Sequence, residues 1–469
     1  MRAVVGGGVV WPAVTPARRQ ADATAGGLVR ALVPIGVATA LVGLANAFAM
    51  PYLALFLRQA LHADSVRASL FLFLTPLSAV VVGSAVARYS DRPGRRPRVL
   101  AIAALAGVAA YALHAFVRDY WTLLAVSVTL AALAGTLMAQ VFAYGREAVA
   151  GFSPARATLG INAQRTMLSL AWVGGPPLGA WLIAVYGFQG LFLAAAVAFA
   201  ATLAALPLLN RTGPTPPGAV AGEAGPPAAD VDVSRVDDAD GLPSWWTRWG
   251  TSTAFAVTQI AGNLTVAVLP LYISHDLHGD VADAGRILGL CAALEIPLMI
   301  GLGVLVRRWS LRRMVLGGGI VGALYYALVS VSTQIWQLLA LQVLVAGFIA
   351  CIGGLGISYF QELMPRAPGR ATTMYTNAMR VAAMAAGLLF GPVILLGYRL
   401  AYVVAALCCA VGVVILILTP VRSRRAPVAS EPPTGQRPVA PARPATRRRC
   451  SRSRRWDSAY RRQAPDGFQ

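Results

Sequence analysis

The sequence predicts an all-α membrane protein whose twelve helices form two pseudo-symmetric halves of six. The chain has 469 residues, 57% of them hydrophobic, and a mean hydropathy of +0.63. Its apolar residues lie in separate runs of about 20, the length that a helix needs to cross a hydrocarbon core of roughly 30 Å. Short sequence cassettes also recur about 215 residues apart. These observations exclude a water-soluble globule and predict a duplicated bundle of membrane helices.

The repeat joins several cassettes in the same order in both halves. In the first half they are Glu147, Asn162-Ala163-Gln164-Arg165 and Gly175-Pro176, and in the second Glu362, Asn377-Ala378-Met379-Arg380 and Gly391-Pro392. Two parallel membrane-embedded repeats with a site between them are typical of secondary transporters. The repeat therefore predicts a binding site at the interface of the two halves.

Each apolar run is expected to be helical, because lipid offers no partner for an unpaired backbone group. The first half contains runs at 29–57, 68–89, 99–117, 121–144, 157–186 and 189–210. The second half contains runs at 249–273, 282–306, 314–333, 335–360, 371–397 and 399–419. We number these runs as spans 1 to 12.

Three further segments have the composition of solvated chain. Residues 1–28, which precede the first half at 29–210, are expected to be a disordered cytoplasmic tail. Prolines and a run of aspartates predict a flexible cytoplasmic linker at 211–248, followed by the second half at 249–419. Prolines and arginines predict a basic, disordered cytoplasmic tail at 420–469.

The charge pattern predicts the orientation of the chain. All 40 basic residues are arginines, and the formal net charge is +21. In a soluble protein this charge would suggest nucleic acid, but here the arginines concentrate in alternate loops, such as those between spans 2 and 3 and between spans 8 and 9. The positive-inside rule places these loops and both termini in the cytoplasm of a multi-pass protein of the cell membrane. We expect contact with anionic lipid headgroups, no nucleic-acid binding, and function as a monomer.

Metal and enzyme chemistry are not predicted. The five cysteines are scattered without the spacing of metal ligands, so we expect no metal site and no cofactor. A membrane-embedded enzyme would need histidines, cysteines or paired carboxylates together at bilayer depth. Glu295 and His114 alone do not supply such a set, and His114 is expected to be structural.

The loop between spans 2 and 3 reads Ala87-Arg88-Tyr89-Ser90-Asp91-Arg92-Pro93-Gly94-Arg95-Arg96. It resembles the signature loop of the major facilitator superfamily, with Ala87 in place of the first glycine. Asp91 can face the positive end of a neighbouring helix, and Arg95 or Arg96 can pair with Glu147 at the end of span 4. With Glu362, the second-half counterpart of Glu147, these residues form a candidate latch that holds one access state. The alternative is a set of ordinary inner-loop arginines.

Longer stretches resemble the sugar efflux transporters, the Set-type branch of that superfamily. They are the run from Gln164 to Pro177 in span 5, Leu294-Glu295-Ile296-Pro297 in span 8, and Phe360-Gln361-Glu362-Leu363-Met364-Pro365 after span 10. The resemblance covers roughly 29–420. It implies the major facilitator fold and the export of small neutral sugars or glycosides by alternating access, driven by inward proton movement.

The chain departs from many superfamily relatives in span 4. Those relatives carry an arginine within this span, whereas this chain has Gln140 there and only a terminal Arg146. The coupling scheme of those relatives therefore does not carry over.

Glu295 and Arg165 are the candidate proton-coupling pair. Glu295 is the only carboxylate well inside a span, and an ionisable group at this depth costs several kcal/mol unless it is paired or hydrated. Counting about 1.5 Å per residue places Arg165 on span 5 at a similar depth. Spans 5 and 8 face each other in the superfamily that the chain resembles, so we expect the two side chains to approach. The alternative is a permanent salt bridge that fixes packing and never titrates.

Candidate sugar-binding residues lie on spans that are expected to line the cavity. On span 5, Asn162, Ser169 and Trp172 share one helix face with Arg165, and an indole can stack on the C–H face of a sugar ring. The remaining candidates carry amide or guanidinium groups: Asn46, Gln140, Gln259, Asn263, Asn377, Arg380 and, more weakly, Gln342. The alternative role of such residues is to join membrane helices to each other.

Two other functions are compatible with the same sequence. The Gly-Pro pairs of spans 5 and 11 are common in proton-coupled exporters of hydrophobic drugs. A drug exporter would favour an aromatic and apolar cavity, so the amides favour sugar. A membrane sensor without transport activity is the second alternative.

Overall fold

The computed structural model describes residues 25–420, except 91, 93, 151, 212–243 and 307. The predicted C-terminal tail and most of the predicted linker thus lie outside the described residues. Both halves begin earlier than predicted. Span 1 begins at Ala25, inside the predicted N-terminal tail, and span 7 begins at Trp245, inside the predicted linker. The Ser244 side chain accepts a hydrogen bond from the Thr247 amide at 3.2 Å and thereby caps span 7 ahead of its apolar run.

The described residues contain helices and no strand. The helices of the first half are Ala25–Ala49, Leu53–Gln59, Ser65–Ser90, Arg96–Phe116, Tyr120–Val126, the π-helical Ser127–Ala131, Ala132–Val149 and Pro154–Arg211. Those of the second half are Trp245–Asp276, Val281–Leu305, Leu311–Val331, Ile335–Ile349, the π-helical Ala350–Gly354, Leu355–Leu363, Pro368–Leu396 and Tyr398–Leu418. Span 1 comprises the first two helices, span 4 is Tyr120–Val149 and span 10 is Ile335–Leu363.

The long helix Pro154–Arg211 contains both span 5 and span 6. Eleven helices among the described residues are long and apolar enough to cross a membrane. This one has 58 residues, which would extend about 87 Å if it were a single straight helix. Its backbone leaves the helical conformation at Gly187, with φ 64° and ψ −168°, between the predicted end of span 5 and the predicted start of span 6. With this break the bundle has twelve spans, and the predicted fold class is confirmed.

The two ends of the bundle differ. The arginine-rich end is where span 2 ends at Ser90, span 3 begins at Arg96, span 8 ends at Leu305 and span 9 begins at Leu311. The opposite end, which we call the far end, carries the loops after spans 1 and 7. Across the halves, span 2 packs against span 11 and span 5 against span 8. These two contacts determine which end of the molecule is closed.

The far-end loops after spans 1 and 7 contain a matched pair of strained residues. His62 and His278 have φ values of 49° and 51°, and they are the only non-glycine residues with positive φ in the described part of the chain. Each lies two residues before an aspartate that immediately precedes the next helix. The left-handed conformation costs a residue with a Cβ atom about 1–2 kcal/mol, whereas glycine adopts it freely.

Replacing either histidine with glycine is therefore expected to stabilise the protein. His62→Gly and His278→Gly should each raise the free energy of unfolding by about 1 kcal/mol, measured by thermal unfolding of the detergent-solubilised protein. His275→Gly is the control, because His275 lies inside a helix, where glycine costs about 1 kcal/mol. Destabilisation by all three substitutions would contradict the assignment of strain.

Candidate functional site

A cavity of about 570 Å³ lies between the two halves. Six of its polar or indole-bearing lining residues are partly exposed, and both halves contribute to them: Asn46, Thr75, Tyr111, Trp172, Gln259 and Asn263. No aspartate, glutamate or arginine is among the lining residues of this cavity in the described part of the chain. Four buried polar residues also line it, His114, Ser127, Thr265 and Gln342, and most of the remaining wall is apolar and aromatic. The cavity therefore suits a neutral molecule with both hydroxyl groups and apolar surface.

Asn46 and Asn263 occupy equivalent positions on spans 1 and 7 and face the cavity from opposite halves. The amide nitrogen of Asn46 donates to the Val42 carbonyl oxygen, and that of Asn263 to the Gln259 carbonyl oxygen, each at 2.8 Å. These bonds to the preceding turn fix the amide planes and leave the carbonyl oxygens as acceptors. The Gln259 amide in turn donates to the Met379 sulfur at 3.1 Å. The pair thus presents two oriented acceptors to a ligand.

The first-half wall contains a polar pair formed by Ser127 and by His114, which the sequence analysis expected to be structural. The Nδ1 atom of His114 lies 2.8 Å from the Ala110 carbonyl oxygen, and its Nε2 atom lies 3.1 Å from Ser127 Oγ. A carbonyl only accepts, so Nδ1 carries a proton and, in the neutral ring, Nε2 accepts from Ser127. Ser127 begins the π-helical turn of span 4, and such turns occur frequently at functional sites. Both residues line the cavity.

Several predicted binding residues lie elsewhere. Gln140 is buried, and its side-chain oxygen accepts from Arg96 at 3.4 Å. Asn162 and Asn377 are exposed, closer to the arginine-rich end than the cavity, and Ser169 and Arg380 are partly buried but do not line it. Only Trp172 of the predicted span 5 stripe reaches the cavity. The stripe is too long for one site, because 10 residues of helix extend about 15 Å.

Gln164 has a different role from its neighbours in the same cassette. It is buried, and its amide donates to Thr39 Oγ1 at 3.1 Å and to the Val141 carbonyl oxygen at 3.0 Å. It therefore joins span 5 to spans 1 and 4 inside the first half. Gln164 therefore stabilises helix packing. This is the alternative role that the sequence analysis gave to polar residues within the spans.

Glycines close the far end of the cavity by letting the halves touch backbone to backbone. A Cβ atom at Gly387 of span 11 would lie 2.5 Å from the Leu72 backbone in span 2, and one at Gly285 of span 8 would lie 2.9 Å from the Pro176 carbonyl oxygen in span 5. The Gly391 amide also donates to Ser69 Oγ at 2.6 Å. Larger side chains would hold the halves apart at these points.

The same spans separate towards the arginine-rich end. Cβ atoms at Gly83 of span 2 and at Gly301 and Gly303 of span 8 would meet no atom within 4 Å. The halves therefore touch at the far end of the cavity and lie apart towards the arginine-rich end.

Glu295 and Arg165 do not form an ion pair in this state. The ion pairs within 4 Å found in the described part of the chain are Arg67–Asp64, Arg96–Glu147, Arg286–Asp283 and Arg399–Asp276. Glu295 is partly buried, and Arg165 is exposed. Spans 5 and 8 touch at Gly289 and Val173. Glu295 lies six residues beyond this contact, where the spans separate, so the expected approach is not made here.

The candidate latch is partly assembled at the arginine-rich end. Arg96 Nη2 lies 3.0 Å from Glu147 Oε1, with the Arg96 side chain 15% exposed and the Glu147 side chain 45% exposed. The Arg95 guanidinium instead lies over the Tyr89 ring, 4.5 Å from its centroid. Asp91 lies outside the described residues. Span 3 is thus joined to span 4 within the first half.

An arginine near the start of span 9 in the second half has a different role. The Nη2 atom of Arg312 donates to the carbonyl oxygens of Leu416 at 2.8 Å, Thr419 at 3.0 Å and Ile417 at 3.2 Å. It therefore caps the end of span 12. Glu362 is exposed and is not part of an ion pair within 4 Å among the described residues.

Charge exchange tests whether the pairing of Arg96 with Glu147 matters. Arg96→Glu and Glu147→Arg should each place like charges together and reduce both transport and thermal stability, while the double exchange should restore most of both. The stability effect of either single change is expected to be small, since the pair is partly solvated. The rate of transport by the three variants in proteoliposomes is the decisive measurement. A double exchange as defective as the single ones would show that the pairing is unimportant.

Two six-helix halves around a cavity that is closed at one end define a polytopic membrane transporter. The chain matches the family model described as Major Facilitator Superfamily over residues 35–249 and 251–461. It is 33% identical over 354 residues to Sugar efflux transporter C of Escherichia coli (strain K12), covering 74% of this chain and 85% of that protein. Sugar efflux transporter A of Dickeya chrysanthemi is also 33% identical, over 351 residues, covering 75% of this chain and 86% of that protein. The chain therefore belongs to the sugar efflux transporter family of the major facilitator superfamily.

Solved structures with little sequence identity share the fold. The crystal structure of the nucleoside transporter NupG has a TM-score of 0.61 at 13% identity and covers 82% of this chain and 97% of its own. A transporter of the POT family, in complex with 5-aminolevulinic acid, has a TM-score of 0.66 at 14% identity and covers 83% and 96%, respectively. These likenesses concern the fold alone.

Proposed function

We propose that the protein exports small neutral sugars or glycosides across the cytoplasmic membrane by alternating access, coupled to inward proton movement. The observation that carries the proposal is the chemistry of the central cavity. Amides from both halves face it, Trp172 offers a flat ring surface, and none of the described residues that line it is an arginine or an acid. The relatives named sugar efflux transporters support the same substrate class.

The positive-inside rule gives the direction in which the cavity opens. If the arginine-rich end is cytoplasmic, the structure is open to the cytoplasm, the state in which an exporter takes up its substrate. In the opposite state the far end opens and the arginine-rich end closes. The glycine contacts at the far end would then break, and spans 5 and 8 would converge near Glu295. We expect this cycle to take place in a monomer, with anionic lipid around the arginines.

Glu295 is the residue on which proton coupling is proposed to depend. It is the only carboxylate well inside a span, and in the present state it has no cationic partner within 4 Å among the described residues. Inward proton movement requires its carboxyl group to bind a proton while the far end is open and to release it while the arginine-rich end is open to the cytoplasm. Closure of the arginine-rich end would change both the hydration of Glu295 and its distance from Arg165, the two factors on which its proton affinity would depend. Binding and release of one proton would thereby alternate with the access state.

An exporter of hydrophobic drugs is the second candidate, because aromatic and aliphatic side chains form much of the cavity wall. Phe192, Phe199, Leu72 and Met50 all line it. Asn46 and Asn263 each present an oriented amide oxygen to the cavity. Two such acceptors are fewer than a sugar site surrounded by amides would provide. Cation–π contact with the rings would attract a lipophilic cation.

Flux through the purified protein separates these functions. In proteoliposomes with a pH gradient, radiolabelled lactose should be transported and tetraphenylphosphonium should not. Thermal-shift screening against the same two compounds measures binding independently of flux. Transport of the cation alone would support the drug exporter, and binding without flux of either compound would support the sensor.

A further inference from the structure

The cavity continues into the interior of the second half. There it is lined by Cys291 of span 8, Tyr325 and Tyr326 of span 9, Gln342 of span 10 and Tyr402 of span 12. We call these five residues the tyrosine recess. All five are buried. Span 12 thus contributes a polar group to a cavity whose main lining comes from the spans between the two halves.

One hydroxyl group in the recess has no partner. Tyr325 accepts a hydrogen bond from the Gln342 amide at 3.4 Å, and that amide also donates to the Leu338 carbonyl oxygen at 2.8 Å. The Tyr402 side chain is 1% exposed, and its buried hydroxyl oxygen has no hydrogen-bond partner. A buried polar group without a partner is unfavourable, and a phenylalanine would fill the same space without that cost. The hydroxyl is therefore explained by a ligand group that is bound there for part of the cycle.

The chemistry of the recess restricts that ligand group. The phenol can both donate and accept one hydrogen bond. No arginine or acid is among the lining residues described, so an ionic group would lose its hydration without compensation. The neighbouring wall is aromatic, with the ring centroids of Tyr325 and Tyr326 4.9 Å apart. A single neutral hydroxyl group between aromatic rings meets all three conditions.

The recess differs from its counterpart in the first half. Tyr111 and Ser127 correspond in the repeat to Tyr326 and Gln342, and they line the same cavity. There, however, the buried polar pair is closed, because both ring nitrogens of His114 have partners in Ala110 and Ser127. In the described part of the chain, Tyr402 is the one cavity-lining residue with a buried side-chain oxygen that has no hydrogen-bond partner. A ligand would therefore be bound asymmetrically.

We propose that the tyrosine recess is a subsite for one hydroxyl group of the transported sugar, with the Tyr402 hydroxyl as its hydrogen-bonding partner. This inference rests on the proposed function, because it assigns part of the sugar to a named place in the cavity. It also predicts that a residue of span 12 contributes to specificity although that span lies outside the interface of the halves.

Calorimetric binding of lactose to the full-length protein in nanodiscs tests the subsite. Tyr402→Phe should weaken lactose binding about 3- to 10-fold, the contribution of one hydrogen bond, and leave the unfolding temperature unchanged or higher. Tyr272→Phe is the matched control. Tyr272 packs 4.9 Å from Tyr402 but donates to the carbonyl oxygens of Val329 and Ser332, outside the recess. It should lower the unfolding temperature and leave the lactose affinity unchanged.

Monodeoxy derivatives of lactose identify the source of the hydroxyl group. One derivative should bind the wild type about as weakly as lactose binds Tyr402→Phe, and the variant should not distinguish that derivative from lactose. If a water molecule instead of a sugar hydroxyl group were the partner of Tyr402, Tyr402→Phe would weaken the binding of every derivative by the same factor. That result, or an unchanged lactose affinity of Tyr402→Phe, would overturn the subsite alone. A wild-type protein that binds no lactose would overturn the proposed function and the subsite together.

Discussion

Glu295→Gln is expected to abolish the uptake of labelled lactose into inside-out vesicles when the vesicle lumen is acidic, yet to leave lactose–lactose exchange intact. Glutamine keeps the size and polarity of the side chain but removes the proton that is proposed to move with each turnover. Exchange needs only the substrate-bound change of access state, so it does not require a titrating group. The measurement is the initial rate of uptake with and without the gradient.

Glu295→Asp is the matched control for this substitution. It retains a titratable carboxyl group at nearly the same depth and should keep a measurable part of gradient-driven uptake. The ratio of driven uptake to exchange therefore separates titration from geometry. Driven uptake by the glutamine variant at the wild-type rate would exclude Glu295 as the coupling residue. Arg165→Gln should resemble Glu295→Gln if the two side chains meet when the arginine-rich end closes.

Gly387→Ala is expected to open the far end. The added Cβ would lie 2.5 Å from the Leu72 carbonyl carbon and oxygen and 2.7 Å from the Phe73 amide nitrogen, all of them backbone atoms. Backbone cannot rotate away as a side chain can, so spans 2 and 11 must separate. Overpacking of this kind costs about 1–3 kcal/mol, which would shift the population ratio of the two access states by roughly 5- to 150-fold.

The separation can be measured by spin labels at Gln59 and His275, on a background without native cysteines. These two exposed residues occupy equivalent positions at the far ends of spans 1 and 7. Gly387→Ala should move the distance distribution towards longer distances and slow transport. Gly317→Ala is the control, because its added Cβ would meet no atom within 4 Å. An unchanged distribution in Gly387→Ala would mean that this contact does not determine the access state.

The fold could be predicted because its signals are local. Apolar runs of membrane length specify helices, and the break at Gly187 lies between two runs that the composition already separated. Spans 1 and 7 begin earlier than predicted, at Ala25 and Trp245, because the added residues are not typical of an apolar run: two glycines in span 1, and two tryptophans, a threonine and an arginine in span 7. The predicted tails and linker lie largely outside the described residues.

The site could be predicted only in part. Asn46, Trp172, Gln259 and Asn263 line the cavity, whereas Gln140 contacts Arg96 instead. Counting residues gives the depth of a side chain, but it does not give the rotation of its helix about the axis. The rotation of span 4 about its axis directs the Gln140 side chain towards Arg96 and not into the cavity.

Tyr111 and Thr75 were missed, because one phenol and one hydroxyl in an apolar run resemble packing residues. The relation of Glu295 to Arg165 depends on the access state, which no sequence pattern encodes.

The three carbonyl contacts of Arg312 have a consequence for how the two halves share the work of transport. At the start of span 3 in the first half, Arg96 contacts both Gln140 and Glu147, and its ion pair with Glu147 is partly solvated and can dissociate at little cost. Arg312 instead donates from one nitrogen to three carbonyl oxygens at the end of span 12. In an alternating-access cycle the second half would then move as a rigid unit, and the internal rearrangement of each turnover would fall on the first half.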